Sequence, residues 1–370
     1  MSIKGILLIL LVAILIISIL TIFILNMPSF GKIPNGKRAE RIKKSPNYKN
    51  GKFQNLEDTP QLTTSDKSFI ENAYNFFFKK VENLRPIEKI PTVKTNLNTL
   101  ENNSLVWLGH SSYFLKINDK NILIDPVLHS ASPFSFLIAP FDTEYQYSEK
   151  DLPEDIDLLI ITHDHWDHLD YHLMKQIRSR IKRILTTLGV GSHFEYWNFS
   201  PEIITELDWN EDTMIENLKF TCLPARHFSG RGILGKQTLW GAFMLQTEEQ
   251  TIYIGGDSGY GKHIAEIARR FPKIDFALME NGQYSIDWQY IHFLPEDLKK
   301  AMKELNAEKY FTGHNSKFAL SKHAWYEPLE NISKIAEKEK LNILTPKIGE
   351  IVQLCNKEQS FEKWWKKFIK

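Results

Sequence analysis

The stretch Thr162-His163-Asp164-His165-Trp166-Asp167-His168-Leu169-Asp170 limits what this chain can be more than any other, because it crowds histidines and aspartates together. It directly follows Asp157-Leu158-Leu159-Ile160-Ile161, whose apolar run reads as a buried strand. A strand end that opens into a ligand-dense loop is a place for a metal. Neutral imidazoles at His163 and His165, two positions apart on an extended loop, can converge on one cation, while Asp167 and His168 can reach a second.

The spacing H-x-H-x-D-H resembles the signature of the metallo-β-lactamase superfamily. That resemblance implies an α/β chain folded as an αββα sandwich, two facing sheets flanked by helices, with one or two metals at the sheet edge. Its remaining ligands are then expected at the ends of later strands. His227 follows the strand-like run ending at Leu223 and can complete a three-histidine site with His163 and His165. Asp257 sits among Gly255, Gly256 and Gly259, where the backbone can approach closely and one carboxylate can bridge two cations. His314 closes Phe311-Thr312-Gly313-His314.

From residue 104 the chain reads as short strands with turns between them: 105–109, 113–117, 121–125, 157–161, 182–186, 203–207, 218–223, 238–246 and 251–255. Helices over 170–179, 261–270 and 295–305 then alternate with extended runs at 276–279 and 309–312. A strand-rich half followed by alternating units fits the sandwich better than a doubly wound sheet. The chain is large enough for it, since 370 residues at 42% hydrophobic can bury a sizeable core.

Residues 5–25 are continuously apolar apart from Ser18 and Thr21, long enough at helical rise to cross a ~30 Å hydrocarbon core. No small-residue cleavage pattern follows, so an uncleaved single-pass anchor is expected. Lys32, Lys37, Arg38, Arg41, Lys43 and Lys44 outweigh Lys4 on the other flank, which by the positive-inside rule puts the catalytic domain in the cytoplasm; the alternative is an anchor with the domain outside. This basic stretch, taken as a linker over 26–64, reads as a tether lying over the domain or the membrane surface, its basic residues either on anionic headgroups or simply solvated. Residues 65–103 form a lead-in, with a helix over 65–85 whose Phe69, Tyr74, Phe76, Phe77, Phe78 and Val81 make an apolar face. The hydrolase domain spans 104–350. A tail over 351–370 mixes Trp, Phe and Lys as interfacial segments do, although for Trp364 and Trp365 taken alone packing on the core is favoured over membrane contact. A chain starting near Asn55 is expected to be soluble and to keep its metals.

Charge and cysteine exclude other classes. Lys+Arg of 46 against Asp+Glu of 45 leaves +1, so no global field points to nucleic acid. Cys222 and Cys355 offer neither a disulfide framework nor a thiolate metal cluster.

Further motifs narrow the resemblance. Trp107-Leu108-Gly109-His110-Ser111-Ser112, Ile124-Asp125-Pro126-Val127, Ala131-Ser132-Pro133, Leu239-Trp240-Gly241, Gly256-Asp257-Ser258-Gly259-Tyr260 and Phe318-Ala319-Leu320 are similar to motifs of the N-acylphosphatidylethanolamine-hydrolysing phospholipase D branch, over about 104–329. The resemblance implies a first metal on His163, His165 and His227, a second on Asp167, His168 and His314, and Asp257 bridging them. It implies two zinc ions that make hydroxide available for attack on a phosphodiester, with Asp167 and Asp257 as the catalytic carboxylates and His110, Tyr284 and His292 toward substrate. His110 can equally satisfy a buried carbonyl.

The likeness departs at Asn315-Ser316-Lys317, where those phospholipases have Trp-Gly-Thr, and at Met279-Glu280-Asn281-Gly282-Gln283-Tyr284. These loops bear on which substrate is bound. A phospholipid phosphodiester and a membrane are the expected partners, with nucleic acid excluded and a homodimer left open. The alternative is a lactonase or ester hydrolase acting on a small soluble phosphorylated metabolite. The diiron oxygen reductases of the superfamily resemble H-x-E-x-D-H, whereas His165 stands here at the second position. β-Lactamase activity is disfavoured because Asp257 stands where many of those enzymes have a cysteine.

Overall fold

The computed structural model describes residues 2–63, 71 and 80–369. Of the helix expected over 65–85, residues 65–70 and 72–79 lie outside them, and residues 80–85 form turns rather than helix. In chain order the elements are α1 (Ile3–Leu25), α2 (Gly36–Lys44), β1 (Tyr48–Lys49), β2 (Lys52–Phe53), β3 (Ser104–Trp107), β4 (Tyr113–Ile117), β5 (Lys120–Ile124), β6 (Leu158–Ile161), α3 (Tyr171–Ile177), β7 (Ile184–Thr187), α4 (Gly191–Tyr196) and β8 (Ile204–Leu207). The second half holds β9 (Asp212–Ile215), β10 (Leu218–Leu223), β11 (Ala242–Gln246), β12 (Thr251–Ile254), α5 (Lys262–Arg270), β13 (Phe276–Glu280), α6 (Pro295–Leu305), β14 (Tyr310–Gly313), α7 (Glu327–Glu339), β15 (Ile343–Leu344) and β16 (Ile351–Gln353).

Two seven-stranded sheets face each other, one ordered β16-β3-β4-β5-β6-β7-β8 and the other β15-β14-β13-β12-β11-β10-β9. Each has the same internal plan. Strands β16, β3, β4 and β5 pair antiparallel and β5 to β8 pair parallel. In the other sheet β9 to β12 are antiparallel and β12 to β15 parallel. Buried Trp107, Tyr113, Ile124, Phe243 and Phe311 fill the space between the sheets, the Trp107 and Tyr113 rings 5.5 and 5.4 Å from that of Phe311, and Ile264, Ile267, Leu298, Met302 and Ile332 bring α5, α6 and α7 onto the outer face of the second. The result is the expected αββα sandwich.

Helix α1 is wholly exposed along its apolar length, long enough to cross a bilayer. The stretch after it lies over the domain, one of its two expected placements. Ile42 of α2 is buried, Arg38 meets Glu206 at 2.6 Å and Glu195 at 2.8 Å, and Arg41 meets Glu211. Phe53 is fully buried and its N–H donates to the Lys236 carbonyl at 2.9 Å. Residues 28–63 therefore form a belt on the sandwich, while Lys32, Lys37, Arg41, Lys43 and Lys44 of the basic flank stay exposed and Arg38 is half-buried. The sequence shows little periodicity here because α2, β1 and β2 are short and the belt is held largely by contacts with residues far along the chain.

Two other expectations change. The strand expected over 238–246 begins only at Ala242, because Thr238 to Gly241 form a loop in which Gly241 N–H donates to the Thr162 carbonyl. The expected tail starts inside the first sheet, with Ile351–Gln353 paired to β3, and its Trp364 and Trp365 are buried in the core rather than offered to a membrane.

Candidate metal centre

Strand direction explains why the ligand candidates meet. Because β3 and β5 run with β6, and β10 runs with β12, β13 and β14, all seven end at the same edge of the sandwich. His110 follows β3, Asp125 follows β5, the hexad follows β6, His227 follows β10, Asp257 follows β12, Glu280 ends β13 and His314 follows β14. The loops turn sharply. His110, Asp125 and His314 hold positive φ of 54°, 41° and 64°, a region uncommon for residues with a Cβ. Gly256, at φ 58°, approaches the Thr162 side chain and the Gly241 carbonyl so closely that a Cβ would lie 3.0 Å from each. That approach brings Asp257 over the hexad.

One donor group is His163, His165 and His227, with Nε2 of His163 and of His227 3.0 and 3.1 Å from Nδ1 of His165. Their tautomers are set from behind. His227 Nδ1–H donates to the Ile291 carbonyl at 2.8 Å, leaving Nε2 as a lone pair. Thr162 Oγ1 donates to Asp125 Oδ2 at 2.6 Å and so accepts from His163 Nδ1 at 3.1 Å. Burial and neighbouring imidazoles push His163 and His227 well below the usual histidine range; burial also lowers His165, to about 4, against the opposing pull of Asp167 and Asp164. All three are neutral at pH 7.

A second group is Asp167, His168 and His314, together with His110. His168 Nε2 lies 3.7 Å and His314 Nε2 3.9 Å from Asp167 Oδ2. Asp257 stands between the groups: its Oδ2 is 3.9 Å from His163 Nε2, 3.7 Å from His227 Nε2 and 3.1 Å from His168 Nε2, while Oδ1 is 3.2 Å from His314 Nδ1. Burial pushes Asp257 up to about 6, and His168 opposes it.

The other expected site residues separate. His292 lines the cleft over these donors. His110 does not: it is fully buried, its Nε2 2.9 Å from Asp167 Oδ2, so it steadies that carboxylate instead of meeting substrate. Tyr284 is also turned away, its hydroxyl donating to Glu327 Oε1 at 3.0 Å; its neighbour Gln283 faces the cleft. Glu280 escaped sequence reasoning. It is buried with Oε2 2.6 Å from His292 Nδ1 and Oε1 accepting the Phe293 N–H, and its only signal was a charged residue ending an otherwise apolar strand.

The residues suit a pair of cations. Neutral imidazoles converge with their lone pairs on one point, and among the described residues His168 Nε2 and Asp257 Oδ1 are buried without a hydrogen-bond partner. Such orphaned polar atoms between a histidine trio and an Asp/His set are what metal coordination, with loss of the His168 proton, would satisfy.

Residues 120–315 match the model of the beta-lactamase superfamily domain. Uncharacterized protein Rv0906 of Mycobacterium tuberculosis is 30% identical over 328 residues, covering 87% of this chain and 88% of that protein. The chain belongs to the metallo-β-lactamase superfamily. Within it, the mitochondrial N-acyl-phosphatidylethanolamine-hydrolyzing phospholipase D of Saccharomyces cerevisiae is 28% identical over 242 residues, 62% of this chain and 51% of that protein. Among solved structures, CmlA, a diiron β-hydroxylase from Streptomyces venezuelae, shares the fold at a TM-score of 0.54 with 17% identity, over 69% of this chain and 55% of that one. As a superfamily member the chain is a metal-dependent hydrolase, with a His/Asp cluster able to bind a metal.

Proposed function

We propose that this chain is a membrane-anchored hydrolase of a phosphodiester, its substrate a phospholipid such as N-acylphosphatidylethanolamine, working with two zinc ions. The observation that carries this reading is the cleft of about 380 Å³ above the two donor groups. Its floor is polar, with His165, Asp167, His227, Asp257, His292 and His314, and its wall is apolar, with Leu62, Phe228, Trp288, Ile291 and Leu320. An amphiphile with a phosphate at its head fits that division. The root of the anchor is close by: α1 ends at Leu25, and Phe30 packs edge-on against Trp166, the neighbour of Asp167, with ring centroids 5.0 Å apart. The likeness to the yeast phospholipase supports the substrate class.

In this reading His163, His165 and His227 would hold one ion and Asp167, His168 and His314 the other, with Asp257 placed to serve both. Nitrogen and oxygen donors without thiolate suit zinc. Bound there, the ions would acidify a water and offset the charge that develops on the phosphate oxygens. The chain's own residues do the rest. His110 fixes the rotamer of Asp167 from behind. Burial pushes the Glu280 carboxyl well up and the His292 imidazole down, so the two share a proton across 2.6 Å, leaving His292 Nε2 to meet an oxygen of the substrate. Leu62, Trp288 and Leu320 exclude water around an acyl-bearing ligand. The exposed Lys37, Lys43 and Lys44 beyond α1 support a cytoplasmic side for the domain by the positive-inside rule.

Mass spectrometry of the products formed by the detergent-solubilised, zinc-loaded protein tests this. N-acylphosphatidylethanolamine should yield phosphatidic acid and an N-acylethanolamine. Intact lipid, beside ready opening of a phosphorylated lactone, would contradict it.

A further inference from the structure

The belt reaches the metal centre through one side chain. Asn55 accepts the His227 N–H at Oδ1 over 3.1 Å and donates from Nδ2 to the His227 carbonyl over 2.8 Å. A single amide thus takes both backbone groups of one residue, as an adjacent strand would. Among the described residues no backbone group does so, because His227 lies beyond the end of β10 where the ladder to β11 has stopped. The clamp is itself held. Trp240 Nε1–H lies 3.3 Å from the same Asn55 oxygen and donates to the Ala225 carbonyl at 2.9 Å. On either side the belt is pinned by the buried Phe53 and by Arg226, whose guanidinium donates to Thr59 Oγ1 at 3.0 Å and to the Asp58 carbonyl at 2.7 Å.

We propose that Asn55 is a positioning residue of the first metal site, supplied by a segment outside the 120–315 superfamily domain. With His227 Nδ1–H fixed on the Ile291 carbonyl and its backbone fixed on Asn55, the ring has one orientation, and Nε2 faces His165 Nδ1 at 3.1 Å. The same belt continues to Gln61 and Leu62 on the cleft wall and ends with Thr63 Oγ1 on the Ile286 carbonyl at 2.5 Å. The segment that leaves the anchor therefore both orients a ligand and walls the cleft. This inference rests on the dinuclear reading above, because it assigns Asn55 to one of its two sites.

Metal competition on the full-length, detergent-solubilised protein tests it. Wild type, Asn55→Ala and Asn55→Asp are stripped with chelator, then titrated with zinc against a chromophoric chelator and with cobalt while the ligand-field bands are followed. Outer contacts of this kind are worth roughly ten- to a hundredfold in metal affinity. In Asn55→Ala one of two equivalents should weaken by about that factor, with altered cobalt bands, and the other should stay near wild type. Asn55→Asp keeps the shape and the acceptor oxygen but loses the donor to the His227 carbonyl, so it should fold if the alanine variant does not, and it should weaken the same equivalent. Wild-type affinity for both equivalents and unchanged cobalt bands in either folded variant would overturn the inference alone. Wild type that takes up no metal would overturn the dinuclear reading and the inference with it.

Discussion

His168 Nδ1 lies 2.9 Å from Oδ2 of Asp125, a residue 43 positions earlier in the chain, and both side chains are buried. Asp125 also accepts the Thr162 N–H at 2.8 Å and the Thr162 hydroxyl at 2.6 Å, so one carboxylate orients His168 directly and His163 through Thr162. Against the cost of its burial, Asp257, Asp167 and Asp125 hold His168 well above the usual histidine range, which marks the site as rich in negative charge before any cation arrives.

Asp125→Ala should therefore weaken both candidate sites. We expect metal affinity to fall by roughly ten- to a hundredfold and the metal-loaded protein to melt several degrees lower. Elemental analysis after dialysis and thermal unfolding would check both. Wild-type metal content would show that Asp125 only holds the loop.

Glu280 and His292 should behave as one unit. Glu280→Gln and His292→Ala are each expected to lower kcat by roughly a hundredfold, with metal content unchanged, and the double variant to be little worse than the poorer single one. Effects that multiply would mean that the two residues act separately.

Lys317 gives a pH signature of stability. Burial pushes its ammonium down to about 7, while Nζ donates to the Leu108 carbonyl at 2.8 Å. The folded value lies below that of the unfolded chain, so the unfolded state binds more protons between the two. The resulting deficit is complete below pH ~7 and is relieved as pH rises toward ~10.4. Lys317→Met should be more stable than wild type relative to its own high-pH behaviour, with the difference shrinking across that window by an amount on the order of a few kcal/mol. Denaturant unfolding of both proteins at several pH values would show it, and a pH-independent difference would contradict it.

The belt changes where the anchor can be removed. A chain beginning near Asn55 would lose Ile42 and Phe53 from the core, the Arg38 ion pairs and the Ser29 carbonyl that accepts from Arg231 Nε at 3.0 Å. Deleting a buried Phe alone costs about 3–5 kcal/mol. A chain beginning at Pro28 keeps all of these. It should be soluble, load metal and hydrolyse a short-chain phosphodiester at the full-length rate while slowing on vesicles, whereas the shorter one should fold poorly. Sedimentation and paired rate assays would decide, and unchanged vesicle activity would count against the anchored reading.

What the sequence disclosed follows from how far apart the interacting residues lie. The hexad was legible because its donors are consecutive and follow an apolar strand. His227, Asp257 and His314 were legible as a pattern of strand ends. Asn55 and Glu280 were not, and Asp125 stood in the Ile124-Asp125-Pro126-Val127 motif without a role, since each acts on a residue brought to it only by sheet pairing or by the belt. Tyr284 was preferred to Gln283 because the resemblance offers a tyrosine in this turn, and which side chain faces the cleft depends on the turn's dihedrals, with Gln283 at φ 54°. Helix α7 and the short strands β9, β15 and β16 went unnoticed for a similar reason: they are fixed by packing more than by local pattern.

The account's central claim is that water attacks phosphorus at the edge where the two donor groups meet. Turnover of a phospholipid phosphodiester in water enriched in a heavy oxygen isotope, followed by mass spectrometry, tests it most directly. The account predicts one heavy atom in the phosphate-bearing product and none in the acyl groups or the released alcohol. Heavy oxygen in a carboxylate, or no hydrolysis by protein carrying its full complement of metal, would contradict it.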